Sequence, residues 1–225
     1  MSDLDLLTIG RVSVDLYAEQ RNTPTRDVRT YRKSIGGTAT NVAVAAARLG
    51  RRAAVYTRVG DDRFGDYVTH ALSETFGVDT RFVHKDPSLL TPLAFAELNP
   101  PEDPQIFFYR EPRAPDVDLS VAEIDLDVVA EVPILWIPAS RFAFEPSAST
   151  VRTILAHRNR AAHVILDLDW RPMFWDSPAA ASEAVGGILG SVTMAIGNRA
   201  ECEIAVGTSD PDEAADRLLG LGLEA

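Results

Sequence analysis

Short apolar runs alternate along this chain with longer stretches of helical periodicity, and that alternation dictates its fold class. The runs at 5–9, 53–58, 81–84, 134–137, 164–168 and 192–195 are too short for helices and largely apolar on both faces. Strands of that kind need cover above and below, as in a mainly parallel sheet flanked by helices. Helical patterns at 38–49, 64–76, 121–130, 147–160, 179–189, 199–205 and 210–219 fall between or after them, the last with Asp210 as cap and Pro211 at its first position. The expectation is an α/β fold built on one core, which 225 residues at 46% hydrophobic can fill. A formal net charge of -11 argues against a nucleic-acid or anionic-membrane partner. The single cysteine, Cys202, fits a reducing compartment. Residues 1–9 do not read as a signal peptide, and no apolar stretch reaches membrane-spanning length. The expected setting is cytoplasmic.

Two segments interrupt the alternation. Within 12–35 and 92–110 the pattern becomes polar–apolar, as in Val28-Arg29-Thr30-Tyr31-Arg32-Lys33 and Ala94-Phe95-Ala96-Glu97-Leu98. One wet and one dry face imply antiparallel strands outside the main sheet, forming a small lid. Its dry face, with Tyr17, Tyr31, Phe95 and Phe107, would cover the active site, a partner subunit or the core. At the other end, Leu218-Leu219-Gly220-Leu221-Gly222-Leu223 reads as a helix running into a glycine stop and leading toward a further buried strand. Truncation of the sheet at the C-terminus is the resulting expectation.

Several polar groups fall where such a sheet binds ligands. Asp15 follows the first strand and either accepts sugar hydroxyls or stands as a solvated turn residue. Gly36-Gly37-Thr38-Ala39-Thr40-Asn41 brings the backbone close to a ligand and places the Asn41 amide in the first turn of a helix. Arg110 ends the second lid segment, to grip a carboxylate or phosphate or to pair with Glu111. In Asp167-Leu168-Asp169-Trp170-Arg171-Pro172, clustered charge at the end of a buried strand favours a polar ligand over scaffolding. Asn198 and Glu201, three apart at a helix start, either organise hydrated Mg²⁺ or close a capping box. No nucleotide-binding glycine loop of the Walker or dinucleotide type is present, and His70, His84, His157 and His163 lack metal-ligand spacing.

The run Gly36-Gly37…Asn41, with Gly50 and Gly60-Asp61 following, resembles the first signature of the ribokinase-like (PfkB) carbohydrate kinases. The resemblance extends over essentially the whole chain through Asp15, Arg110, Asp167-x-Asp169-x-Arg171 and Asn198-x-x-Glu201. It implies a three-layer sandwich with a mainly parallel central sheet and a β-sheet lid, in one incomplete domain over 1–225, and ATP-dependent phosphorylation of a sugar at a primary hydroxyl. Asp15, Gly36, Gly37 and Asn41 would hold sugar hydroxyls. Asn198 and Glu201 would serve ATP and Mg²⁺, Glu201 acting on the metal through water. Gly10-Arg11-x-Ser13-Val14-Asp15, Phe108-Tyr109-Arg110-Glu111 and Asp167-Leu168-Asp169-Trp170-Arg171-Pro172 most resemble the 5-dehydro-2-deoxygluconokinases of inositol catabolism. A keto-acid substrate would then place its carboxylate on Arg110 and Arg171. The family's second signature, Gly-Ala-Gly-Asp, is absent, so the general-base aspartate is expected beyond Ala225 and the chain alone is expected to be inactive. Two alternatives stand beside this reading: a non-catalytic sugar-binding relative, and a kinase of 2-keto-3-deoxygluconate, fructose or ribose. The lid would suit a homodimer.

Overall fold

The structure, a computed structural model, describes residues 3–225; Met1 and Ser2 of the N-terminal stretch lie outside the described residues. The elements run β1 (Leu6–Ile9), β2 (Ser13–Ala18), β3 (Tyr31–Gly36), α1 (Thr38–Arg48), β4 (Ala53–Gly60), α2 (Arg63–His70), β5 (Val83–Asp86), β6 (Leu93–Glu97) and β7 (Gln105–Tyr109). They continue with α3 (Leu126–Glu131), β8 (Ile134–Pro138), α4 (Ser147–Arg158), β9 (His163–Asp167), α5 (Pro178–Gly186), β10 (Met194–Ile196), α6 (Arg199–Val206) and α7 (Pro211–Gly220). The main sheet has the order β10-β9-β8-β1-β4-β5, and every neighbouring pair is parallel.

Side-chain alternation divides the interior into two cores, as a sheet between two helical layers requires. Leu7, Ile9, Tyr56, Leu135, Ile137, Val164 and Leu166 face α4 and its Val151, Ile154 and Leu155. Leu6, Ala53, Val55, Val59 and Trp136 face α1 and α2. Each fully buried aliphatic side chain contributes about 1.5–3 kcal/mol, so these two faces account for most of the driving force. Ala39 and Ala43, both at 0% exposure, let α1 lie close on the sheet. Arg158, in the last turn of α4, is 1% exposed and has no carboxylate partner among the described residues. It donates instead to the carbonyls of Val129, Val132, Pro133 and His163, tying α3 and the entries of β8 and β9 together. Burial pushes its guanidinium down to about 10.

Chain order within the sheet reverses between β1 and β8: the chain leaves β1 toward β4 and β5, then returns to β8 on the other side. The crevice outside the C-terminal ends of strands at such a point is where open α/β sheets bind ligands. Gly10 and Arg11 leave β1 there, and Ser140 and Arg141 follow β8.

Over this crevice stands a four-stranded sheet of order β3-β2-β6-β7. Its two hairpins are antiparallel, as the alternation predicts, but they join through a parallel β2–β6 pair, a correction to the all-antiparallel expectation. Both central strands leave the same end of the main sheet, so they run the same way; alternation encodes faces and carries nothing about direction. The expected dry face is also corrected. Register puts Tyr17 with Asp15, Ala94, Ile106 and Phe108 on one face, and Tyr31, Phe95, Phe107 and Tyr109 on the other. The second set forms its own cluster, with Phe95 and Phe107 stacked at 5.4 Å and Tyr31 edge-on to Phe95 at 5.4 Å.

The six expected main-sheet strands are all present. Residues 121–130 form a 3-10 turn followed by the short α3, and the helix expected over 64–76 passes into a π-turn at Ala71–Thr75. Near the end of the chain, the Glu224 N–H donates to the Thr193 carbonyl and the Ala195 N–H to the Ala225 carbonyl, alongside β10. No helix among the described residues is long and apolar enough to cross a membrane.

Candidate active site

A cavity of about 410 Å³ opens between the lid and the crevice, lined by Arg11, Ser13, Asp15, Tyr17, Gly37, Thr38, Asn41, Ala94, Ile106, Phe108, Arg110, Arg171 and Met173. Asp15 projects from β2 and accepts a hydrogen bond from Ser13 Oγ at 2.6 Å. Burial raises its carboxyl above the ordinary carboxylate range, with the Ser13 bond opposing. A partly desolvated acceptor of this kind gains most from hydroxyl donors that replace lost water.

The two glycines beneath it have distinct reasons. A Cβ on Gly36 would lie 2.0 Å from Asp15 Oδ2, so only glycine leaves room for the carboxylate. Gly37 has φ +106°, and a Cβ there would lie 2.2 Å from the Arg11 carbonyl oxygen. This turn starts α1 directly under the cavity. Asn41 lies one turn further on, its N–H donating to the Gly37 carbonyl and its exposed side chain at the cavity mouth.

The arginines are held by two buried carboxylates. Asp169, 1% exposed overall, receives Arg11 Nη2 at 2.7 Å and Ser140 Oγ on Oδ2, with Arg171 Nη2 3.2 Å from Oδ1. Arg11 also donates to Thr38 Oγ1 at 2.6 Å, linking the loop after β1 to the start of α1. Burial lowers the Arg11 pKa, and Asp169 opposes that. Asp116, at 0% exposure, accepts Arg110 Nη2 on both oxygens, at 2.8 and 3.1 Å, and Arg141 Nη1 at 3.1 Å. The Phe174 ring lies 5.1 Å from the Arg11 guanidinium and 5.6 Å from that of Arg110.

Of the residues expected on the substrate side, Asp15, Gly37, Asn41, Arg110 and Arg171 line the cavity, and Gly36 makes room for one of them. Asp167 and Asp169 do not. Asp169 is spent on Arg11, Ser140 and Arg171, and Asp167 accepts the Asp169 N–H at 3.0 Å. Burial first, then the like charges of Asp169 and Glu201, push the Asp167 carboxyl up to about 6. The alternative partner for Arg110 is also corrected: it pairs with Asp116, six residues on, and not with Glu111.

Asn198 and Glu201 form the reciprocal capping box of α6, Asn198 Oδ1 accepting the Glu201 N–H and Glu201 Oε2 the Asn198 N–H. Glu201 Oε1 accepts the Trp170 N–H at 3.2 Å. Each carboxylate oxygen therefore keeps spare acceptor capacity, enough for a bound water, and no group of three metal-ligating side chains occurs among the described residues. Asp116, Ser140 and Arg141 are absent from the expectations, and Arg11 and Thr38 enter them only as members of motifs, without a role of their own. Arg11 directly after the first strand was the one local signal; the others depend on contacts between distant segments.

A parallel sheet carrying a β-sheet lid over a polar, arginine-rich cavity defines a lidded α/β domain. Residues 3–223 match the sequence model of the pfkB family carbohydrate kinases, and the chain belongs to that family. It is 34% identical over 223 residues to a 5-dehydro-2-deoxygluconokinase of Photobacterium profundum, covering 96% of this chain and 66% of that protein. It is 35% identical over 176 residues to a 5-dehydro-2-deoxygluconokinase of Geobacillus kaustophilus, covering 77% and 52%. The chain thus spans roughly half to two thirds of the length of these curated relatives. Among solved structures, a PfkB protein from Polaromonas sp. JS666 superposes with a TM-score of 0.89 at 24% identity, over 98% of this chain and 74% of that one. An uncharacterized sugar kinase from Pyrococcus horikoshii in complex with ATP gives 0.75 at 25% identity, over 97% and 67%.

Proposed function

We propose that this chain carries the sugar-binding part of an ATP-dependent kinase whose substrate is a sugar acid, with 5-dehydro-2-deoxygluconate the best candidate. The observation that carries the reading is the cavity itself: one carboxylate, Asp15, faces Arg11, Arg110 and Arg171 under a lid at the reversal point of the sheet. The relatives named as 5-dehydro-2-deoxygluconokinases support the same substrate. Asp15 and Asn41 would take sugar hydroxyls, and Arg110 and Arg171 the carboxylate, with Ile106, Phe108 and Met173 against the carbon chain. Asp167 and Asp169 would act on the substrate only through the arginines and backbone they hold. Asn198 and Glu201 are assigned to the nucleotide side, and the ATP complex of the Pyrococcus horikoshii relative supports ATP as the phosphoryl donor. Mg²⁺, held through water on Glu201, would neutralise charge on the transferring phosphoryl group. No general base is assigned among the described residues, because Asp15 is the one carboxylate lining the cavity. The outer aromatic cluster of the lid suits a homodimer, and the setting is cytoplasmic.

Arg171→Ala tests the acid assignment: sugar-acid binding should weaken much more than neutral-sugar binding, and equal weakening would remove the acid from the proposal.

A further inference from the structure

The charge inventory around the cavity is unbalanced. Four guanidinia, those of Arg11, Arg110, Arg141 and Arg171, share two buried carboxylates, those of Asp116 and Asp169. Asp167 and Glu201 lie close to Asp169, but they accept backbone N–H groups and neither lines the cavity. Asp15 belongs to the lid strand β2 and is bound to Ser13, with no arginine partner among the described residues. Arg11 is 7% exposed, and its Nε has no hydrogen-bond partner. Arg141 is 2% exposed, its Nε is likewise unpartnered, and burial beside Arg110 and Arg11 pushes its guanidinium down to about 10. Arg171 is 43% exposed, but Arg11, Arg110 and Arg141 are withdrawn from water, one cation more than the two carboxylates that hold them, which is costly unless an anion completes the set.

The packing also fixes where the anion would meet them. Phe174 stacks against both Arg11 and Arg110, so one ring sets their separation. Asp169 fastens Arg11 from one side and Asp116 fastens Arg110 from the other. Arg141 touches Asp116 through a side-chain bond and a second bond to its carbonyl, and it does not line the cavity. We propose that Arg11, spaced from Arg110 by Phe174, completes the anion-specificity element of this cavity. The ligand class is a polyhydroxylated carboxylate whose anionic end lies on Arg11 and Arg110 with Arg171 beside them, and whose hydroxyls reach Asp15. This rests on the sugar-binding reading above and adds Arg11 to it.

The experiment is titration calorimetry with D-gluconate and with D-glucitol, its neutral counterpart, on the wild type, Arg11→Gln and Arg11→Lys, alongside thermal unfolding of each. The wild type should prefer gluconate by about tenfold or more, the scale of one charge-assisted contact. Arg11→Gln should abolish that preference, gluconate losing at least about tenfold more affinity than glucitol. Arg11→Lys keeps the buried charge but loses the planar fork, so gluconate should weaken by roughly threefold to tenfold. That variant decides the matter where the glutamine variant fails to fold. Gluconate affinity unchanged in Arg11→Lys, or equal losses for both ligands in Arg11→Gln, overturns the proposal. Glucitol binding as tightly as gluconate overturns the anion element alone. If neither ligand binds the wild type, the sugar-binding reading itself fails.

Discussion

Alanine at position 36 and alanine at position 37 should damage this protein in different ways, although the two glycines are adjacent. Gly36 is not in the left-handed region, and the three atoms nearest the Cβ of Gly36→Ala would all belong to the Asp15 carboxylate, at 2.0 to 2.4 Å. The side chain can rotate away at a cost of about 0.5–1.5 kcal/mol, partly offset by about 0.4–1 kcal/mol from reduced unfolded-state entropy. The net change should stay within about 1 kcal/mol, a shift of roughly 2–4 °C for a chain of this length. Binding should suffer far more, because a displaced Asp15 forfeits two hydroxyl bonds of about 1.5 kcal/mol or more each, roughly 100-fold in affinity. In Gly37→Ala the new Cβ meets backbone, at 2.2 Å from the Arg11 carbonyl oxygen and 2.8 Å from Val12 Cα, with φ in the left-handed region. Backbone strain of about 1–2 kcal/mol and overpacking of about 1–3 kcal/mol add up, lowering the melting temperature by roughly 5–15 °C. Circular-dichroism melting and calorimetric titration of a sugar acid separate the two effects. Wild-type affinity in Gly36→Ala, or equal melting losses in both variants, would refute the reasoning.

Asp167→Asn should alter how stability depends on pH. The folded carboxyl titrates at about 6, above the ordinary 3.8, so the folded state holds a proton that the unfolded chain releases in that window. Its contribution therefore falls as pH rises from about 4 to about 6. A shift of this size is worth about 3 kcal/mol in full, reduced to about 1–2 kcal/mol at a partly exposed site. Urea unfolding should show the variant more stable by that amount at pH 7 and equal near pH 4; a pH-independent difference would contradict it. Arg158→Met strands carbonyls at the junction of α3, β8 and β9 and should cost about 3–5 kcal/mol, measured by the same unfolding; a loss under about 1 kcal/mol would show that the guanidinium is dispensable. The 225-residue chain mixed with ATP, Mg²⁺ and 5-dehydro-2-deoxygluconate should release no ADP above background in a coupled assay. Sustained turnover would mean that a base exists among these residues.

The parallel sheet was legible because its signal is local: runs such as 53–58 and 134–137 are apolar on both faces and cannot be mistaken for amphipathic helices. The capping of α7 by Asp210 was legible for the same reason, since cap and helix adjoin; its carboxylate accepts the Asp212 and Glu213 N–H groups. Gly37 and Asn41 could be placed because both lie in one short segment at the start of α1, whereas Asp15 had only its position after the first strand and the family resemblance. The arginine network could not. Arg11 and Asp169 are 158 residues apart, and Arg141 meets Asp116 across 25 residues without periodicity between them. Asp169 misled for a physical reason: a charge at the end of a buried strand demands a partner, but sequence does not say whether that partner is a ligand or the protein's own arginine. The aromatic residues of the lid showed the same limit, since Tyr17 and Tyr31 belong to different strands and only register reveals that they face opposite ways.

The central claim is that a sugar acid binds under the lid with its hydroxyls on Asp15. Calorimetric titration of 5-dehydro-2-deoxygluconate into the wild type and Asp15→Ala tests it most directly. The account predicts one site per chain in the wild type and affinity weaker by about 100-fold or more in Asp15→Ala, with little change in melting temperature. Equal affinity in the two proteins, or no binding to the wild type, would contradict it.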